Sequence, residues 1–187
     1  MLDPAQLFNQ ALQALERNNR PLAQDRLEKV LAAQPDDCEA ALMLARLHRE
    51  NDPPDLAAAE AVMVRTAKAA RASPADATEL LLELADLRLS LGRAADAARA
   101  CRHALEANPN AWEAHYLLGN AFLDAKAPVE AARAFRAALA TNPFEAEVWW
   151  NLGVALERSG DADGAAEAFK THARLVADGT DSPVTRE

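Results

Sequence analysis

Apolar side chains recur at steps of three and four along most of the chain. Leu7, Ala11 and Ala14 open the series, and Ala23, Leu27 and Val30 continue it after a polar interval. The same spacing returns in Leu118 and Phe122, and again in Ala131, Phe135 and Ala138. Positions spaced this way share one face of a helix with 3.6 residues per turn, so each stretch predicts an amphipathic α-helix with a stripe to bury. Proline closes successive pairs of stretches at Pro35, Pro74, Pro109 and Pro143. It carries no N–H and pushes the residue before it out of helical geometry, so it ends one pair and turns the chain into the next.

The pairs themselves repeat. Trp149-Trp150-Asn151-Leu152-Gly153-Val154-Ala155-Leu156 is followed by Ala165 and Phe169, and 34 positions earlier stands His115-Tyr116-Leu117-Leu118-Gly119-Asn120-Ala121-Phe122, followed by Ala131, Phe135, Ala138 and Pro143. A third copy keeps the phase in Leu81, Leu84, Ala85, Gly92, Ala97, Cys101, Ala104 and Pro109, with Cys101 in the slot of Phe135 and Phe169. Leu7 to Pro35 fits a degenerate first copy, and Ala41, Leu44 and Ala45 open a second. This pattern resembles the tetratricopeptide repeat, W-x2-L-G-x2-Y, A-x3-F, P, strongly in the last three copies and weakly in the first two.

The resemblance implies an all-α fold, a right-handed α-α superhelical solenoid of about five helix hairpins over 3–177, because one hairpin cannot bury its stripe alone and must stack on the next. The repeats are expected at about 4–37, 38–77, 78–111, 112–145 and 146–177, with 178–187 a disordered tail. The second copy is longer and carries Asn51-Asp52-Pro53-Pro54-Asp55 before its second helix. Either that loop is extended, or the segment from Leu56 to Ala72 gains helix. Small residues at Ala11, Ala45, Ala85, Gly119 and Gly153 are expected to let the two helices of a hairpin approach closely. A bulky side chain there would overpack the contact by roughly 1–3 kcal/mol.

Half of the residues are apolar but only 5% are aromatic, which favours close-packed helices over a sheet. The net charge of −9 and the absence of a basic stripe exclude nucleic acid as the expected partner. The start, Met1-Leu2-Asp3-Pro4, reads neither as a signal peptide nor as a membrane span. A cytoplasmic location follows as the expectation, and a form trimmed of a leader would suit the periplasm. Cys38 and Cys101 are far apart and outside any CxxC, so they read as structural thiols.

No nucleophile and base pair, phosphate-cradling loop or metal-ligand spacing is visible, so the chain is expected to be no enzyme and to need no cofactor. Gly160-Asp161-Ala162-Asp163-Gly164 imitates part of a calcium loop but lacks the remaining ligands, and reads as an inter-helix turn. His115 stands where the repeat has tryptophan, His172 where it has alanine, and both are expected to pack between helices. His48 could reach a groove edge. Trp112 is expected just before a helix.

In the tetratricopeptide family, ligands usually lie on the concave face formed by the first helix of each repeat. Carried over by register, that face comprises Arg46, Arg49, Leu82, Asp86, Tyr116, Asn120, Trp150 and Asn151, with Phe8, Leu12, Leu15, Leu42, Leu89, Leu123, Val154 and Glu157 beside them. It is expected to be apolar with sparse polar points. Asn120 and Asn151 fall where family members grip a peptide backbone, since an amide both donates and accepts. The competing reading is that they link neighbouring helices. Tyr116 and Trp150 supply apolar area with a polar tip, and Arg46 with Arg49 forms a basic spot for an acidic side chain. The family's carboxylate clamp is not matched, because Tyr116 takes a lysine position.

The resemblance therefore implies a non-catalytic scaffold or adaptor that binds another protein or an extended peptide. One alternative is self-association into a homo-oligomer through an uncapped last repeat, with Phe169, His172 and Val176 as contacts. Another is a regulatory module for a separate enzyme or secretion complex.

Overall fold

The computed structural model of the 187-residue chain describes residues 3–70 and 77–179. Pro74 and the expected tail beyond Gly179 lie outside the described residues. Among the described residues there are ten α-helices and no strand. The chain divides into two compact units, Met1–Leu87 and Arg88–Glu187.

The first unit holds α1 (Pro4–Glu16), α2 (Arg20–Ala33), α3 (Cys38–Arg49), α4 (Leu56–Ala69) and most of α5 (Ala77–Ser90). Three of these helices, α2, α3 and α4, start where a side chain satisfies a free backbone donor. Asn19 Oδ1 accepts the Leu22 N–H at 3.2 Å, and Asp37 and Asp55 accept those of Ala40 and Ala58, both at 2.9 Å. The apolar stripes meet in a core of Ala11, Ala23, Leu27, Val30, Leu44, Ala59 and Met63, all buried. Residues Glu50 to Asp55 separate α3 from α4, where Ala125 to Ala127 suffice between the later helices α7 and α8. The loop thus takes part of the extra length of the second copy, while α4 keeps the 14 residues of α2; the remainder falls between Ala69 and Ala77, where residues 71–76 lie outside the described residues. The Asp55 N–H donates to the His48 carbonyl at 2.8 Å and ties the loop back. His48 itself is buried rather than placed at a groove edge.

The second unit holds the end of α5 and then α6 (Ala94–Ala107), α7 (Trp112–Asp124), α8 (Pro128–Thr141), α9 (Ala146–Ser159) and α10 (Ala162–Ala177). Here the pairing of small with large is explicit. A Cβ added to Gly119 would lie 2.4 Å from Cε1 of Phe135, and one added to Gly153 would lie 2.5 Å from Cε1 of Phe169. Glycine is what admits each ring between the two helices of its hairpin. Phe135 is fully buried in a cluster with Ala131, Ala138, Val148, Leu152 and Ala165. Cys101, in the same register, is also fully buried, and desolvation pushes its thiol up to about 12.

The turns share one backbone device. Gly92 (φ 70°), Lys126 (φ 59°) and Gly160 (φ 89°), each 34 residues from the next, take the left-handed conformation that reverses the chain between helices. His115 and Trp149 are equivalent too. The Trp149 Nε1–H donates to the Pro143 carbonyl at 2.8 Å, and His115 Nε2 bonds the Pro109 carbonyl at 3.2 Å. A carbonyl only accepts, so Nε2 carries the proton and the imidazole takes over the indole's task. Trp112 is the first residue of α7 rather than a residue preceding it, and it packs against the core.

Candidate binding site

The first unit contains a groove of about 1210 Å³ lined by residues of α3, α4 and α5. Its apolar lining is Leu42, Met43, Ala45 and Met63. Around these stand Asp36, Asp37, Glu39 and Glu50 on one side and Glu79, Glu83 and Asp86 on the other, with Arg46 and Arg49. The face is thus more acidic than the expected apolar surface with sparse polar points. Glu79, Glu83 and Asp86 follow the i, i+4, i+7 spacing of one helix face, and that was the signal in the sequence.

Arg49 is not a free basic spot. Its guanidinium reaches from α3 to α5, with Nη1 3.0 Å from Glu83 Oε2 and Nη2 3.8 Å from Asp86 Oδ2. Arg46 is exposed and has no such pairing among the described residues. Leu82 is half-buried on α5 and does not line this groove.

In the second unit a polar network joins α7 to α9. The Tyr116 hydroxyl donates to Glu147 Oε1 at 2.5 Å, and the Asn151 amide donates to Asn120 Oδ1 at 3.2 Å and to the Tyr116 oxygen at 3.5 Å. One helical turn separates Tyr116 from Asn120 and Glu147 from Asn151, so the four side chains lie as facing pairs. Burial, reinforced by the Glu147 carboxylate, pushes the Tyr116 phenol up to about 12, and it stays a neutral donor. Glu147 was missed by reasoning from the family's positions, although it shares a face of α9 with Asn151. The two asparagines therefore spend hydrogen bonds on each other across the helix pair, and Asn151 Oδ1 is left without a partner among the described residues.

Trp150 does not join this network. Its ring packs on α10, 4.9 Å from the Phe169 ring and 5.3 Å from that of His172. His172 Nδ1 also bonds the Ala146 carbonyl at 3.0 Å, which pins α10 to the start of α9. Trp150 and Val176 remain 48% and 52% exposed, so Trp150, Phe169, His172 and Val176 make one partly uncovered stripe of α9 and α10. The segment that imitated a calcium loop is a helix start: Asp161 Oδ1 accepts the Gly164 N–H at 3.0 Å as the cap of α10. Among the described residues no helix is long and apolar enough to cross a membrane.

Helix hairpins at a 34-residue period, each closed by a small residue against a larger one, define an α-helical repeat protein, a class whose surfaces generally hold other proteins. The tetratricopeptide repeat model matches residues 8–79, 82–134 and 128–180. The chain belongs to the tetratricopeptide repeat family. Among solved structures it is similar to MamA, at 17% identity over 98% of this chain and 97% of that one with a TM-score of 0.78. It is also similar to MamA 41-end from Desulfovibrio magneticus RS-1, at 22% identity over 95% and 98% with a TM-score of 0.76. YrrB, described as a TPR protein with an unusual peptide-binding site, aligns at 19% identity over 94% and 88% with a TM-score of 0.75. At these identities the likeness is one of fold. No match is found among curated protein sequences.

Proposed function

We propose that the chain is a non-catalytic binding module that seats a segment of another protein in the groove of its first unit. The observation that carries this reading is the groove itself, with an apolar lining of Leu42, Met43 and Met63 inside a charged rim. At about 1210 Å³ it exceeds the roughly 300–1,000 Å³ typical of small-molecule sites. Methionine suits such a lining because its unbranched thioether adapts to different contours. The peptide-binding site named for YrrB is in keeping with this use of the fold. Separately, in the second unit, the Tyr116, Asn120, Glu147 and Asn151 network offers Asn151 Oδ1 to a backbone N–H. A cytoplasmic location belongs to the same reading, in keeping with the free thiols of Cys38 and Cys101.

The test is a photoreactive residue placed at Leu42, compared with one at Arg133 on the exposed side of α8. A protein adduct formed from Leu42 and absent from Arg133 is the expected result. Equal adducts from both positions would remove the groove from consideration.

Self-association is the second reading, favoured by the partly uncovered Trp150 and Val176 beside Phe169 and His172. Light scattering during gel filtration reads it directly. A monomer at high concentration, or a dimer that survives Phe169→Glu, eliminates it.

A further inference from the structure

We propose that the segment seated in the groove of the first unit is basic, presenting arginine or lysine side chains to its rim while apolar residues face its floor. This deepens the binding-module reading and rests on it. The groove is lined by seven carboxylates and two arginines. Charge of one sign around a low-dielectric cleft concentrates field lines and selects partners of the opposite sign.

The chain's own ion pairs sort these charges. Arg49 is already held by Glu83 and Asp86, and Glu50 is held by Arg20 at 2.7 Å. Asp36, Glu39 and Glu79 have no cationic partner among the described residues and face the groove. Helix stabilisation accounts for part of this set: Glu39 and Glu79 stand in the first turns of α3 and α5, where the backbone dipole favours a negative charge. It does not account for Glu83 and Asp86, which lie beyond the first turn of α5.

What these two carboxylates do is visible in the contact they make. Spaced three residues apart on α5, they take one guanidinium between them, each engaging a different terminal nitrogen of Arg49. A guanidinium offers several donors in a planar fork, and a pair of carboxylates on adjacent helix positions suits it. The groove thus already accepts, from its own wall, the side-chain chemistry inferred for the partner. An arginine or lysine arriving from outside meets Glu39, Glu79 and Asp36, and alternate apolar residues of an extended segment meet Leu42 and Met43, with the buried Met63 behind them.

Fluorescence anisotropy with three labelled peptides tests this: an alternating leucine and arginine octapeptide, its leucine and glutamate counterpart, and its leucine and serine counterpart. The arginine peptide is expected to bind the full chain at least tenfold more tightly than the serine peptide and to weaken as salt is raised, with the glutamate peptide weakest. The double variant Glu39→Gln, Glu79→Gln should weaken the arginine peptide about tenfold, and Glu130→Gln with Glu167→Gln, which removes the same charge outside the groove, should leave it unchanged. Equal losses in both variants would mean attraction to the net charge of the chain and would overturn the proposal. Serine and arginine peptides of equal affinity, or no binding of the arginine peptide, would also overturn it. The photoadduct at Leu42 separates the two failures: if it persists, the basic partner is wrong and the binding groove stands, and if it is lost as well, both fall.

Discussion

Replacing Gly119 by alanine places one methyl group where the helix pair α7 and α8 has no room. At an ordinary helix-interior glycine this substitution stabilises by about 0.8–1.0 kcal/mol, because alanine restricts the unfolded chain and favours the helix. Here the new Cβ would stand 2.4, 2.6 and 2.7 Å from three ring atoms of Phe135. The ring cannot swing away, being fully buried among Ala131, Ala138 and Leu152 and 6.1 Å from the Tyr116 ring. Overpacking of a tight core costs about 1–3 kcal/mol, so the net expectation is a loss of about 1 kcal/mol. In a chain of this size that lowers Tm by about 2–4 °C. Gly153 is the internal control. Its added Cβ would meet Phe169 at 2.5 Å, but that ring is only half-buried and can tilt outward. Gly153→Ala should therefore come out near neutral. Urea titration followed by tryptophan fluorescence reads the right part of the molecule, since Trp112, Trp149 and Trp150 all lie in the second unit. In a Phe135→Leu background the overpacking should disappear and Gly119→Ala should stabilise as an ordinary glycine replacement does, giving a coupling of about 2 kcal/mol. If Gly119→Ala raises the midpoint as an ordinary glycine replacement does, or shows no coupling to Phe135, the wedge account of these hairpins is wrong.

Three further outcomes follow from single positions. Cys101 loses its proton near 9.0 in the unfolded chain and at about 12 in the fold, so the folded state retains a proton the unfolded state has lost. Stability should fall as pH rises through that window, part of the fall should vanish in Cys101→Ala, and the Cys101 thiol should resist labelling until the chain unfolds. Lys126 occupies a left-handed position that glycine holds at Gly92 and Gly160; Lys126→Gly should stabilise by up to about 1 kcal/mol, while Gly160→Lys should cost about 1–2 kcal/mol, both read as shifts in urea midpoint. Thr66 is fully buried, and its Oγ1 has no hydrogen-bond partner among the described residues. Thr66→Val keeps the shape and removes the stranded hydroxyl, so it should stabilise by about 1 kcal/mol, and a loss of stability in calorimetry would mean that the hydroxyl is satisfied.

The candidate site was legible only in part, and the reason differs from residue to residue. Tyr116, Asn120 and Asn151 were found by register and do lie together, but Glu147, which receives the Tyr116 hydroxyl, was not among the positions that the family pattern supplies. Trp150 was assigned to the same face as its neighbour Asn151. Adjacent residues on a helix point about 100° apart, and Trp150 turns to Phe169 and His172 instead. Arg49 looked free because its partners Glu83 and Asp86 sit in another helix more than thirty positions away.

The sequence by itself determined the class of fold. Its period is local information: steps of three and four set the helix faces, proline and the left-handed turn residues set the ends, and the Gly119 with Phe135 and Gly153 with Phe169 pairs set how closely each hairpin closes. Only the tertiary structure decided which polar and aromatic groups are already used. Whether Asn120 meets Asn151, whether Arg49 reaches two carboxylates and whether Trp150 faces a groove or α10 depend on the spacing and rotation of one helix against another. A repeat pattern specifies which face each helix turns inward, but rotations of a few tens of degrees and shifts of an ångström or two determine which side chains meet across the gap.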